Sequence, residues 1–162
     1  MAARSFAALS EAIEDLHTTI SRGQIMYYSI NRVDYFYTTV KDQPGEAFKL
    51  LSVLADLGVN LLAFNAIPLG TAGAQMSLFP EDPSLLTNIA KQAGISLEGP
   101  NPALLIQGDD KIGVLAEIHE KLYAADINVY SANCVTTGKG SFGYLVYLRP
   151  DEYDRALSAL GM

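Results

Sequence analysis

Two stretches, "DQPGEAFKLLSVLADLGVN" at residues 42–60 and "DKIGVLAEIHEKLYAADIN" at residues 110–128, decide how this chain is read. Each opens on an aspartate, sets a glycine three residues on, continues with apolar residues at helical spacing and closes on an asparagine. The offset stays at 68 residues: Asp42 matches Asp110, Gly45 matches Gly113, Leu54 matches Leu122, Asn60 matches Asn128, Asn65 matches Asn133 and Gly70 matches Gly138. A register that never slips points to a duplicated unit.

The hydrophobic period changes in the same order within each copy. Tyr35–Val40 and Ala103–Gln107 are short, rich in β-branched, aromatic and aliphatic residues, and stopped by acid and glycine clusters, which predicts strands. Ala47, Leu50, Leu54 and Leu57 then recur at helical spacing, as do Leu115, Ile118, Leu122 and Ala125, which predicts a helix with one apolar face in each copy. Gly58 suits a left-handed helix end, and Asp126 takes that place in the second copy at some steric cost. Residues 59–67 and 127–135 read as strands, "LGTAG" and "TGKG" as turns, and residues 74–79 and 142–148 as the strands that complete hairpins. In "EDPSLLTNIAKQAG", Asp82 is a capping residue, Pro83 suits a first helical position and Gly94 a stop; "PDEYDRALSALG" repeats the idea at residues 150–161.

The order strand, helix, strand, strand, helix, with "ISLE" at residues 95–98 as a closing strand, gives an α+β chain of two ferredoxin-like βαββαβ units side by side. The expected division is residues 1–33 as an N-terminal helix and strand extension, 34–98 as the first unit and 103–162 as the second, with "GPNP" as the linker. The N-terminal helix follows from Phe6, Leu9, Ile13, Leu16 and Ile20, a heptad-like stripe ended by Gly23. The second unit has no counterpart of "ISLE", and "QIMYYSI" at residues 24–30 has the composition to fill that gap within the chain or across a dimer.

The chain is 162 residues long with a formal charge of −7 and 18% charged residues, the balance of a globular protein with a buried core. No basic cluster is present to attract phosphate backbones or anionic lipid, which argues against nucleic acid and membrane as partners. No apolar run approaches the roughly 20 residues needed to cross a bilayer, and Glu11, Glu14 and Asp15 stand where a signal peptide needs an apolar stretch, so a cytoplasmic location is expected. Cys134 is the only cysteine, which rules out an intrachain disulfide and a thiolate metal cage.

The segments "VKDQPGEAFKLLSVLADLGVNL" and "IQGDDKIGVLAEIHEKLYAADINV" both resemble the opening of an ACT domain. The resemblance runs from about Asp34 to the C-terminus, and finding it twice makes the chain similar to tandem ACT-domain proteins. It implies small ferredoxin-like modules that bind amino acids or other metabolites and regulate an enzyme or a transcription factor, with no catalysis and no cofactor. It also implies ligand sites between paired units, at the glycine turn and the start of the second strand, which here are Gly45 and Gly113 with Asn60 and Asn128.

Physical chemistry supports those positions. A helix N-terminus carries unpaired N–H groups and partial positive charge that suit a carboxylate, and glycine allows close approach. An asparagine amide can serve both ends of a zwitterion, and Asp42 or Asp110 can pair an ammonium group. The same residues can instead do structural work: glycines in tight turns, aspartates as helix caps, asparagines bonded to nearby backbone. Asn65 and Asn133 stand in strands, where asparagine is disfavoured, and fit either a ligand contact or a fixed hydrogen bond. Ile112 replaces Pro44 in the second copy, so the two turns need not bind equally.

Three other readings were weighed. "KGSFGYLVY" at residues 139–147 resembles the aromatic strand of RNA-recognition motifs with one residue inserted, but "ALLIQG" lacks the partner aromatic and the charge is wrong. His17 and His119 have no nucleophile or carboxylate arranged around them in sequence, and no metal or phosphate motif occurs, so neither catalysis nor a metal site is expected. A pure assembly module without ligand remains as the alternative. Strands 59–67 and 127–135 are expected to be neighbours, placing each turn opposite the other unit's asparagine. Apolar residues on both faces of the strands predict a homodimer or cover by the N-terminal helix.

Overall fold

A computed structural model describes residues 28–162. The expected N-terminal helix and residues 24–27 of "QIMYYSI" lie outside the described residues. The elements are β1 (Tyr28–Val40), α1 (Glu46–Asp56), β2 (Leu61–Pro68), β3 (Ala74–Pro80), α2 (Pro83–Ala93), β4 (Glu98–Asp109), α3 (Val114–Ala124), β5 (Ser131–Thr136), β6 (Ser141–Tyr147) and α4 (Tyr153–Leu160). One antiparallel sheet holds all six strands in the order β2-β3-β1-β4-β6-β5. This is the α+β architecture of two ACT-like units side by side.

The way the units join differs from the sequence reading. The second strands, β2 and β5, are not neighbours but opposite ends of the hydrogen-bond order, while the long first strands β1 and β4 pair in the middle. The reason lies in "YSINRV" (residues 28–33) upstream of the first unit and "GPN" upstream of the second. Both continue as strand, so β1 and β4 gain length to pair with each other from Tyr28↔Gly108 to Tyr37↔Glu98. Gly99–Pro102, read as a linker, is therefore strand, and of "ISLE" only Glu98 is strand. Tyr28–Val33 lies beside Ala103–Gly108, and Glu98 lies beside Tyr37, so the lead-in of each first strand flanks the other unit's strand. The pairing is close to symmetric about Asp34↔Pro102, positions that stand at the same 68-residue offset as Gly45 and Gly113.

The ladder shifts register between Tyr35 and Tyr37. Gly99 sits at that shift with φ 142, and a Cβ there would come within 2.8 Å of the Phe36 ring and 2.9 Å of the Tyr35 carbonyl, so only glycine lets β4 approach. Alternate residues of each strand face the helices. Leu50 and Leu54 of α1 pack with Phe36, Met76 and Leu78, and Ile118 and Leu122 of α3 pack with Leu104, Ile106 and Val146. Leu57 and Leu115, expected on the buried stripes, are 47% and 36% exposed. Val114 instead joins the core at the start of α3. On the face away from the helices, Val33, Phe79, Ala103, Leu105, Leu145 and Tyr147 form a third buried cluster.

Asp82 caps α2 by accepting from the Ser84 and Leu85 amides at 2.9 and 3.0 Å, and Gly94 ends that helix in the left-handed conformation. Gly58 and Asp126 adopt the expected positive φ, 76° and 54°. Phe142 and Tyr144, two of the three aromatics of the RNA-like stretch, are buried in the core beneath α3 and α4, where no base can stack on them, and the third, Tyr147, is buried in the cluster on the other face.

Candidate functional site

Gly45 and Gly113 occupy the N-cap positions of α1 and α3 with φ 94° and 90°. Residues with a Cβ rarely adopt that conformation, which is why both copies use glycine here. Neither helix receives a side-chain cap, so Asp42 and Asp110 are not the caps they could have been. The first intrahelical bonds run from Lys49 N–H to the Gly45 carbonyl and from Glu117 N–H to the Gly113 carbonyl, both 3.0 Å. A Cβ at either glycine would meet nothing within 4 Å, so both helix starts are open to an incoming group.

The two turns differ in charge and closure. Glu46 opens α1, and its carboxylate accepts from Lys49 at 2.7 Å and Gln43 at 3.1 Å. Those bonds, Lys49 first, hold its pKa below the usual carboxylate value, so an anion already stands at this N-terminus. The matching residue in the second copy is Val114, and the acid in the first turn of α3 is instead Glu117, which stands where α1 has Lys49. Conversely, the Asp110 amide donates to the Gly140 carbonyl at 2.9 Å and ties the second turn to the β5–β6 loop, a bond the Asp42 amide does not make to the β2–β3 loop. An open hollow lies there instead, lined by Thr39, Val40, Lys41, Asp42 and residues 70–73. Gly73 permits it: a Cβ would stand 2.2 Å from the Val40 carbonyl oxygen.

Asn60 and Asn128 precede β2 and β5. Because β1 and β4 are antiparallel, the Gly45 turn shares one end of the sheet with Asn128, and the Gly113 turn shares the other with Asn60. Each pair is thus drawn from both units, but β4 and β6 stand between the first pair in the hydrogen-bond order and β3 and β1 between the second. The Asn60 amide is engaged locally, donating to Glu81 at 2.9 Å, while the Glu81 amide returns a bond to the Asn60 carbonyl at 3.0 Å. Asn128 is exposed.

The residues that sequence reasoning missed, Glu46 against Val114 and Glu81 beside Asn60, had a signal in the 68-residue offset. Comparing the copies for difference as well as identity exposes the first. His119 bonds the Tyr144 hydroxyl at 2.6 Å, a packing role. No group of three or more metal-binding side chains occurs among the described residues, and no helix among them is long and apolar enough to cross a membrane.

No family model and no curated protein matches the sequence. Solved structures do resemble it in fold. A protein from Bacteroides thetaiotaomicron gives a TM-score of 0.67 at 15% identity over 82% of this chain and 88% of that one. Aspartokinase alpha and beta subunits give 0.58 at 18% identity over 85% and 96%. The ligand-free regulatory subunit of aspartate kinase from Thermus thermophilus gives 0.58 at 16% identity over 85% and 97%. The chain shares the fold of these structures, built from ACT-like ferredoxin-type units.

Proposed function

We propose that this protein is a non-catalytic regulatory sensor, built from units at residues 34–98 and 103–162, that binds the carboxylate of a free amino acid or related metabolite at its glycine-led helix starts. The observation that carries the reading is the pair of uncapped helix N-termini at matched positions, each on a left-handed glycine with open space before it. The fold shared with aspartate-kinase regulatory regions agrees with it. Unpaired N–H groups and the helix dipole select an anion. Val114 keeps the first residue of α3 free of the carboxylate that Glu46 places on α1, which favours the second turn for a carboxylate even with Glu117 later in its first turn, and Glu46, with Asp42 beside it, favours the first turn for an ammonium group. Asn60 and Asn128 supply the amide contacts at each end. A cytoplasmic enzyme or transcription factor is the regulated partner.

A thermal denaturation screen with free amino acids tests this. A ligand that binds only the native state adds RT ln(1 + [L]/Kd), about 2.7 kcal/mol at a hundredfold excess. Gly113→Asp should abolish the shift, Gly45→Asp should reduce it, and Asn60→Ala and Asn128→Ala should weaken binding by about 1.5–3 kcal/mol where a charged contact is lost. If no amino acid raises Tm, or all four variants respond like the wild type, the site is wrong.

A second reading, an assembly module, draws on the sheet's two edges, β2 and β5, whose outer sides no other described strand pairs. Strand β2 carries Leu62, Phe64 and Ile67, 38–46% exposed, and all of β5 is exposed. Unpaired edges of this kind recruit a second copy, and a homodimer formed there is compatible with the sensor. Light scattering at micromolar concentration should give twice the monomer mass; a monomer would remove this reading.

A further inference from the structure

The sheet is strongly curled. Phe79 on β3 and Tyr147 on β6 have ring centroids 5.9 Å apart although β1 and β4 lie between them, three strand spacings or about 14 Å in a flat sheet. Tyr35 fills the space between, 5.2 Å from Phe79 and 5.3 Å from Tyr147. Phe79 and Tyr147 are matched by the 68-residue offset, as are Asn65 on β2 and Asn133 on β5, so two residue pairs of the repeat converge on the face away from the helices. Only one hydroxyl breaks their likeness.

That hydroxyl is buried and has no hydrogen-bond partner among the described residues. Tyr147 as a whole is 7% exposed. Burial pushes its pKa up, and the nearby amides of Asn65 and Asn133, from opposite edges of the sheet, pull it partly back without either reaching hydrogen-bond geometry. On the same face, opposite Tyr35, the Asn101 amide nitrogen is also buried and has no partner among the described residues. Leaving such groups unpaired forfeits the hydrogen bonds they would make to water, which disfavours burying them without a partner. The unmet atoms are donors, and among the described residues the side chains acting on the Tyr147 hydroxyl are the neutral amides of Asn65 and Asn133, with no charged group beside them. We infer that the concave face is a small-molecule site, separate from the helix turns, where Tyr147 with Asn65 and Asn133 takes the carbonyl oxygen of a small neutral molecule with an apolar body. Absence of a cation disfavours a carboxylate there, and the stacked rings suit an aromatic or aliphatic body.

Ligand-observed NMR with benzamide and benzoate on the whole chain tests the site. Benzamide should bind at millimolar concentration, benzoate at neutral pH at least tenfold more weakly. Tyr147→Phe keeps the ring and should reduce benzamide affinity at least tenfold; Asn133→Ala, on an exposed strand, should reduce it severalfold and serves if the first variant folds poorly. Gly45→Asp and Gly113→Asp should leave it unchanged, which separates this site from the amino-acid turns. No benzamide binding, equal binding of benzoate, or binding that survives Tyr147→Phe and Asn133→Ala within twofold would overturn the inference, as would binding lost only in the glycine variants.

Discussion

Replacing Tyr153 by phenylalanine isolates one bond that fastens the C-terminal helix to the sheet. Tyr153 opens α4, is 1% exposed, and donates its hydroxyl hydrogen to the Ala103 carbonyl of β4. The Arg32 guanidinium lies 4.5 Å from its ring centroid. Phenylalanine keeps the ring, its packing and most of the cation–π contact, so the loss is the hydrogen bond and the pairing of one buried carbonyl. A neutral bond is worth about 0.5–1.5 kcal/mol net, and a stranded acceptor costs about 1–3; a carbonyl with two lone pairs falls toward the lower end, giving about 1–2 kcal/mol. At roughly 2–4 °C per kcal/mol for a chain of this size, Tm should fall by about 2–8 °C with no change in urea m-value. The pH dependence adds a second readout. Burial raises the Tyr153 pKa from 10.0 to about 12, so the folded state holds this proton more tightly than the unfolded one. The resulting stability is complete below pH 10 and is lost as pH rises through 12. Tyr153→Phe should shed that part of the alkaline slope, leaving the part due to Tyr35, Tyr144 and Tyr147, whose pKa values burial also raises. An unchanged urea midpoint, or an alkaline slope identical to wild type, would refute the reasoning.

Leu122→Ala should cost about 2–5 kcal/mol by urea unfolding, since Leu122 is 1% exposed in the core, whereas Leu115→Ala, 36% exposed, should cost far less. Gly58→Ala, with no neighbour within 4 Å, should lose only the conformational term of about 1–2 kcal/mol, and Asp126→Gly, relieving φ 54°, should gain up to about 1 kcal/mol. Gly73→Ala puts a Cβ 2.2 Å from the Val40 carbonyl and should cost about 2–4 kcal/mol in thermal denaturation.

Much of the fold was legible because local signals agreed with each other. The Asp82 cap with Pro83 and Gly94, and Asp126 in the place of Gly58, stand as read. The pairing of the units was not legible, because strand composition in Tyr28–Val33 and Gly99–Pro102 does not say which edge it will meet. Gly99 and proline look like linker punctuation in sequence, yet Gly99 serves a close backbone approach inside β4. The turn glycines could be read because a positive φ has a strong residue signature. Tyr147 lying between strands from both edges depends on the curl of the sheet and leaves no local trace.

Amide chemical shifts of the 15N-labelled chain, followed as each free amino acid is added, test the central claim most directly. Binding of a carboxylate at the helix starts predicts saturable shifts at the Gly113–Leu115 amides, smaller ones at Gly45–Ala47, and loss of the former in Gly113→Asp. Shifts confined to the edge strands, or none with any amino acid at millimolar concentration, would contradict it.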